Sequence, residues 1–199
     1  MTKICVDITM SLDGYVTGPS PGLEQGLGVG GEALHHWAMA HKTDADEQIL
    51  ASGYEATGVV IMGRRTFDII DAPDGWNDDV GYGAARDQST RPPNIVLTHN
   101  VPDNPRLRHG FTFVTGGPRA ALDAALELAG TKDIVIMGGA DVAGQFLRAA
   151  LVDELRLHIA PVILGAGTPL WKDLPHVELA QTDVVSTPYG IHTTYSMKS

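Results

Sequence analysis

Gly58-Val-Val-Ile-Met-Gly63 running into Arg64-Arg65-Thr66-Phe67, and Asp133-Ile-Val-Ile-Met-Gly138 running into Gly139-Ala140-Asp141-Val142, place the tetrapeptide Val-Ile-Met-Gly at two points of the chain. Each copy is a short, β-branched apolar run, then glycine, then a helix-like segment. Such a run suits a strand buried on both faces, as in the parallel sheet of an α/β protein. A glycine where strand passes to helix lets a ligand approach the backbone, and the free N–H groups of a helix start attract anions. Two such junctions suggest an enzyme that holds a two-phosphate cofactor between them.

Outward from these copies, Lys3–Met10 alternates Ile4, Val6, Ile8 and Met10 against Lys3, Cys5, Asp7 and Thr9, which predicts a first strand. A long loop rich in Gly and Pro follows over 11–31, the length expected of a lid. Helical segments are expected over 32–41 and 44–53, the second with Thr43 as N-cap and Glu47 able to close a capping box on it. Strand 58–62 leads to a helix from Arg64 to about Asp71, stopped by Ala72-Pro73. Beyond the loop 73–93 come strands 94–98 and 112–115, helix 118–129 with Pro118 at its start and Gly130 past its end, strand 133–137 and helix 141–151. Strand 154–162 and a hairpin of 177–186 with 191–197 complete the chain. This order predicts one domain over 1–199, a three-layer α/β/α sandwich with a mixed, mostly parallel sheet and an antiparallel C-terminal hairpin.

Composition narrows the function. The chain has 199 residues and a formal net charge of −10, which argues against sequence-independent nucleic-acid binding. No apolar stretch approaches the about 20 residues of a membrane helix, and no signal peptide is evident. The single cysteine, Cys5, rules out an internal disulfide and fits a reducing cytoplasm; it reads as a packed thiol in the first strand.

The glycine series Gly26-Leu-Gly28-Val-Gly30-Gly31 satisfies G-x-G-x-x-G but stands after a long loop, whereas the dinucleotide fingerprint starts directly after a strand. It reads as part of the lid. His35, His36 and His41 lack the spacing of a metal site, so no metal is expected. Trp37, Trp76 and Trp171 are candidates to line a cleft, with core packing as the default reading.

Val60-Ile-Met-Gly-Arg-Arg-Thr66-Phe, then Asn94-Ile-Val-Leu-Thr98-His99, then Ile136-Met-Gly-Gly-Ala-Asp-Val-Ala-Gly-Gln-Phe-Leu147 resemble the cofactor half of the dihydrofolate reductase superfamily. Ser11-Leu-Asp-Gly14 and Leu151-Val-Asp-Glu-Leu-Arg-Leu-His-Ile-Ala-Pro161-Val-Ile-Leu-Gly-Ala-Gly167 are more similar to one branch, the reductase domain of the riboflavin-biosynthesis deaminase–reductase and its stand-alone relatives. The resemblance implies a dihydrofolate reductase-like fold and NADPH as hydride donor. It implies that Gly63, Arg64, Arg65 and Thr66 hold the pyrophosphate and part of the adenosine, that Arg64, with Thr98 and His99, binds the ribose phosphate peculiar to NADPH, and that Leu97 also belongs to the cofactor site. Gly138, Gly139, Ala140, Asp141 and Val142 would close over the pyrophosphate, and the 11–31 loop would cover the nicotinamide. It also implies a homodimer.

The substrate does not carry over so directly. The folate enzymes' helix carboxylate aligns with Glu47, beside Asp46; their arginine for the substrate tail falls at Pro92, next to Arg91. The riboflavin-pathway reductases place an acidic substrate ligand where this chain has Met137. A reduced C=N or C=O bond needs a proton as well as a hydride, and a carboxyl group in a closed cleft is the usual source. Asp13 and Glu47 are the candidate donors. Asp13 reads equally as a turn residue before Gly14, and Glu47 as a cap. Glu154 is expected to cap or pair at the surface. Asp13, Met137 and His158 are the candidate substrate ligands, with His158 alternatively packed in its strand. The expected activity is NADPH-dependent reduction of a small heterocycle, pterin- or pyrimidine-like, as by dihydrofolate reductase or phosphoribosylaminouracil reductase. The alternatives are an NADP(H)-binding protein without turnover, or a flavin- or deazaflavin-dependent reductase. The doubled strand–glycine–helix unit argues against the antiparallel split barrel of the last.

Overall fold

A computed structural model describes residues 2–198. Its eight-stranded sheet is organised around the two apolar repeats, which pair side by side. The first is β3 (Thr57–Gly63), and the second is β8 (Asp133–Gly138). They run parallel, Val60 opposite Val135 and Ile61 opposite Ile136. Next to β8 lies β1 (Ile4–Ser11), followed outward by β9 (Glu154–Ala160), also parallel. On the other side, β6 (Asn94–Leu97) and β7 (Phe111–Val114) extend the parallel part. The hairpin of β11 (Leu179–Thr187) and β12 (Gly190–Met197) closes the far edge, β12 pairing antiparallel to β9. The sheet is therefore mixed and mostly parallel, with its antiparallel part at the C-terminus.

Strand periodicity assigns the core to two faces. Val59, Ile61, Ile95, Ile134 and Ile136 point one way, against Leu122 and Ala125 of α3 (Gly117–Ala129) and Val142 and Phe146 of α4 (Ala140–Arg148). Val60, Met62, Val96 and Val135 point the other way, against Phe67 and Ile70 of α2 (Arg64–Asp71) and Tyr54 of α1 (Asp44–Ala56). Every residue of β3 from Val59 to Gly63 is buried, as a strand covered on both faces requires.

The irregular segments differ most from expectation. The 11–31 loop is interrupted by β2 (Tyr15–Thr17), which pairs with β10 (Thr168–Pro169). The rest of it folds on itself, Gly18 N–H donating to Leu27 O and Val29 N–H to Pro19 O. Gly28 takes positive φ there and packs against Gly18, so this glycine series builds a flap instead of a pyrophosphate turn. The expected helix over 32–41 shrinks to a 3-10 turn at Gly31–His35 followed by turns, and the 73–93 loop holds a ribbon of β4 (Val80–Gly81) and β5 (Ala84–Ala85). Helix α4 stops at Arg148, before Ala150 at positive φ, three residues short of expectation. No helix of the described residues is long and apolar enough to cross a membrane.

Candidate active site

The carboxyl ends of β1, β3, β6 and β8 open into a cleft of about 1400 Å³. Both strand–glycine–helix junctions face it. Gly63, Arg64, Arg65 and Thr66 line it from one side, Gly138, Gly139, Ala140, Asp141 and Val142 from the other, with Leu97, Thr98 and His99 completing the wall. The junctions interlock: a Cβ on Gly63 would meet Val142 Cγ2 at 2.8 Å, and one on Gly138 would meet Thr66 Oγ1 at 3.3 Å. Each glycine thus makes room for a residue at the start of the other repeat's helix. Helices α2 and α4 both begin without a side-chain cap. Their first N–H groups are thereby left to whatever occupies the cleft, and two helix starts facing one space suit a pyrophosphate.

The basic groups lie beside the first junction. Arg64 Nε donates to Asp68 Oδ1 at 2.7 Å, and its Nη1 to Asn100 O at 2.7 Å. Thr98 Oγ1 donates to the same carbonyl at 2.8 Å, so Arg64 and Thr98 converge on Asn100 beside the exposed His99. Arg65 Nη2 donates to Pro21 O at 2.6 Å and ties the flap to α2. Arg91 lies elsewhere, its Nη2 donating to His109 O and its guanidinium over the Phe111 ring.

Neither expected proton donor lines the cleft. Asp13 is exposed and clamps a loop, accepting from Ser11 Oγ at 2.6 Å and from the N–H groups of Leu164 and Gly165. The Ser11 hydroxyl and those N–H groups hold its carboxyl below the ordinary range, and it stands outside the cleft lining. Glu47 faces solvent and pairs with Lys42 Nζ at 2.8 Å, which lowers its pKa as well. The capping box on Thr43 is closed by Asp46, not Glu47. Asp46 stands three residues after the cap, where a side chain reaches back; Glu47 is one further on and turns outward. Glu154 differs too: it is buried and takes Lys3 Nζ at 2.6 Å and Arg156 Nε at 2.7 Å. Beside it the Cys5 thiol is fully buried, and burial pushes its pKa up to about 12.

Three carboxylates do line the cleft, Glu32, Asp141 and Asp7, and of these the sequence reading passed over Asp7 in the first strand. On β1, β9 and β12 the face under α1 carries polar groups: Asp7 stands opposite Arg156, Thr9 opposite His158, and His158 opposite His192. His158 Nε2 contacts Asp7 Oδ1 at 3.0 Å, and His158 Nδ1 contacts His192 Nδ1 at 2.8 Å. His192 Nε2 contacts Asp46 Oδ1 at 2.9 Å. His158, His192 and Asp46 are buried, and Trp37 lies against both imidazoles with ring centroids 4.4 Å and 4.7 Å away. Burial pushes the Asp7 carboxyl up, but the hydrogen bond and charge of His158, with Arg156 and His192, hold it below its ordinary value. Burial likewise opposes ionisation of Asp46, yet bonds from Thr43, Thr187 and His192 keep it low. Burial and the charge of His158 lower His192.

Met137 and His158 both line the cleft, so two of the three expected substrate ligands meet there and Asp13 does not. His35 joins them; burial, and then the charge of His158, take its pKa to about 4. A signal for Asp7 was present in the sequence, as a carboxylate in the middle of the first strand of an α/β sheet. Such a group is costly to bury without partners.

Residues 2–193 match the family model of the RibD C-terminal domain. Protein YyaP of Bacillus subtilis (strain 168) is 51% identical over 185 residues, 86% of this chain and 81% of that protein. Protein YwjB of the same organism is 29% identical over 124 residues, 61% of this chain and 62% of YwjB. Among solved structures, a candidate riboflavin-biosynthesis protein from Shewanella sp. PV-4 superposes with a TM-score of 0.73 at 23% identity, over 100% of both chains. The Shewanella likeness establishes the shared fold.

Proposed function

The chain belongs to the RibD C-terminal domain family, and on that footing we propose that it is an NADPH-dependent reductase of a small pyrimidine- or pterin-like heterocycle. One observation carries the reading: the two uncapped helix starts of the repeats face a single cleft, with Arg64 and His99 at one end and Met137 and His158 within it. The residues fit the cofactor's chemistry. N–H groups of Arg64–Thr66 and Ala140–Val142 suit the pyrophosphate, and Arg64 with His99 suits the additional ribose phosphate. The Thr98 hydroxyl is already engaged with Asn100, so its part is to hold the turn that presents His99. When bound, NADPH supplies a hydride. The chain's own residues must then orient the acceptor, exclude water and supply a proton.

Met137 replaces an acidic ligand, and the cleft around it is bounded by Trp37, Tyr82 and Trp76 as well as His35. This lining favours a flat, largely uncharged ring. The test is NADPH oxidation followed at saturating cofactor with phosphoribosylaminouracil and, separately, dihydrofolate as acceptors. Turnover of either supports the reading. Tight NADPH binding without oxidation by either acceptor would overturn the reductase assignment and favour a binding protein.

A further inference from the structure

We propose that Asp7 delivers the proton of the reduction, and that His158, His192 and Asp46 form the relay that holds and refills it. The inference rests on the reductase reading above. Its basis is a count of protons along four side chains joined by three contacts of 3.0, 2.8 and 2.9 Å. An ionised carboxylate only accepts, so the Nε2 atom of each histidine carries a proton. The two Nδ1 atoms face one another and need one proton between them, since two bare lone pairs repel and two N–H groups collide. Three protons on four ring nitrogens make the pair one shared imidazolium between two carboxylates.

The surroundings support that charge. Trp37 presents its ring to both imidazoles, within the about 6 Å at which an aromatic face stabilises a cation. Its indole N–H donates to Thr9 Oγ1 at 3.2 Å, which fixes the ring in place. The relay is also a partition. Asp7 and His158 border the large cleft, and Asp7, His158 and His192 border a second cavity of about 490 Å³ beside α1. Asp7 Oδ1 takes His158, whereas Oδ2 has no hydrogen-bond partner among the described residues.

In the reaction, the acceptor's C=N or C=O carbon gains a hydride and its heteroatom gains a proton. That proton passes from His158 Nε2 to the Asp7 carboxylate, which is transiently the neutral acid, and then from that O–H to the heteroatom, which leaves Asp7 a carboxylate again. The relay falls from three protons to two, and one of its three contacts lacks a proton whichever tautomers are drawn. That deficit draws a replacement from solvent through the cavity beside α1. The other titratable groups around the relay are Arg156 on β9, Cys5 on β1, His35 in the 3-10 turn, Tyr82 across the cleft and Asp183 on β11. Arg156 is already bound to Asp133 and Glu154, and Tyr82 and Cys5 are held neutral by burial. Within the set, only the histidine pair is joined to Asp7 and to Asp46 by a continuous run of hydrogen-bond contacts.

The test is ring-nitrogen NMR of the full chain with labelled histidine, without cofactor, from pH 5 to 9. The expected result near neutrality is one shared imidazolium at His158 and His192, lost in both His192→Gln and Asp46→Asn. Two neutral rings at pH 7 would overturn the relay and leave the reductase reading intact. With NADPH and phosphoribosylaminouracil, Asp7→Asn should lower kcat about 100-fold or more and leave the NADPH Kd within about twofold. His192→Gln, or Asp46→Asn should the first not fold, should move the alkaline limb of the kcat–pH profile about one unit lower. A profile that overlays wild type would also overturn the relay. Failure of the wild-type protein to oxidise NADPH would instead remove the reductase reading, with the NMR result unaffected.

Discussion

Gly63 and Val142 meet across the two halves of the sequence repeat, with room between them for no side-chain atom: a Cβ at Gly63 would stand 2.8 Å from Val142 Cγ2. Val142 is β-branched and buried at 4% exposure, so it cannot swing aside. Gly63→Ala should therefore cost about 1–3 kcal/mol by overpacking. Urea denaturation would measure the loss, and adding Val142→Ala should return part of it. If the double variant loses the sum of the two single costs, the contact is not the cause.

Arg64 is the residue expected to separate NADPH from NADH. Removing a charge-assisted bond costs about 1.5–3 kcal/mol, so Arg64→Ala should weaken NADPH about 10- to 150-fold and leave NADH nearly unchanged. Its exposed partner Asp68 serves as the control, because the pair is about one-third exposed and contributes little. Calorimetric titration of both cofactors decides the matter. An equal loss for the two would place the ribose phosphate elsewhere.

Asp13→Asn and Glu47→Gln should leave kcat with phosphoribosylaminouracil within about twofold, against the 100-fold or greater loss expected for Asp7→Asn. Asp13 holds the Leu164 and Gly165 N–H groups and Glu47 holds Lys42, all away from the cleft. A large drop in either variant would return that carboxylate to the list of donors.

Stability should fall with acid in two stages. His35 has a folded pKa near 4 against 6.5 when unfolded, so the unfolded chain binds the proton first. Stability from keeping it neutral is complete above pH 6.5 and is lost as pH falls to about 4, amounting to about 3 kcal/mol. Asp46 works below that window: its folded pKa lies under 3.8, so its contribution is present above that value and disappears as pH falls through the folded pKa. In His35→Gln, chemical denaturation should show a flatter slope between pH 6.5 and 4 and an unchanged one below. An unaltered slope in the upper window would show that the fold does not hold the half-buried His35 neutral.

The parts of this protein encoded by contiguous residues were legible without coordinates. A buried parallel strand announces itself by an unbroken β-branched run, and a helix start that faces the cleft by the glycine and arginines beside it. The sheet's direction, the closing hairpin and the residues of both junctions followed from such local signals. The relay did not, because Asp7, Asp46, His158 and His192 stand on three strands and a helix start, with contacts spanning as many as 151 positions. Only strand register brings them together: Thr9 beside His158 and His158 beside His192. Asp13 and Glu47, the carboxylates with the plainest local signal, stand in a loop and on a helix surface, where they are solvated and paired. In the sequence Asp7 is one polar position among several in an alternating strand.

The central claim is that both repeats grip one dinucleotide, and amide NMR tests it most directly. Titrating the 15N-labelled chain with NADPH should produce saturable shifts at Arg64–Thr66 and, in parallel, at Ala140–Val142, with NADH saturating only at higher concentration. Shifts confined to one repeat, or absent from both, would contradict the account.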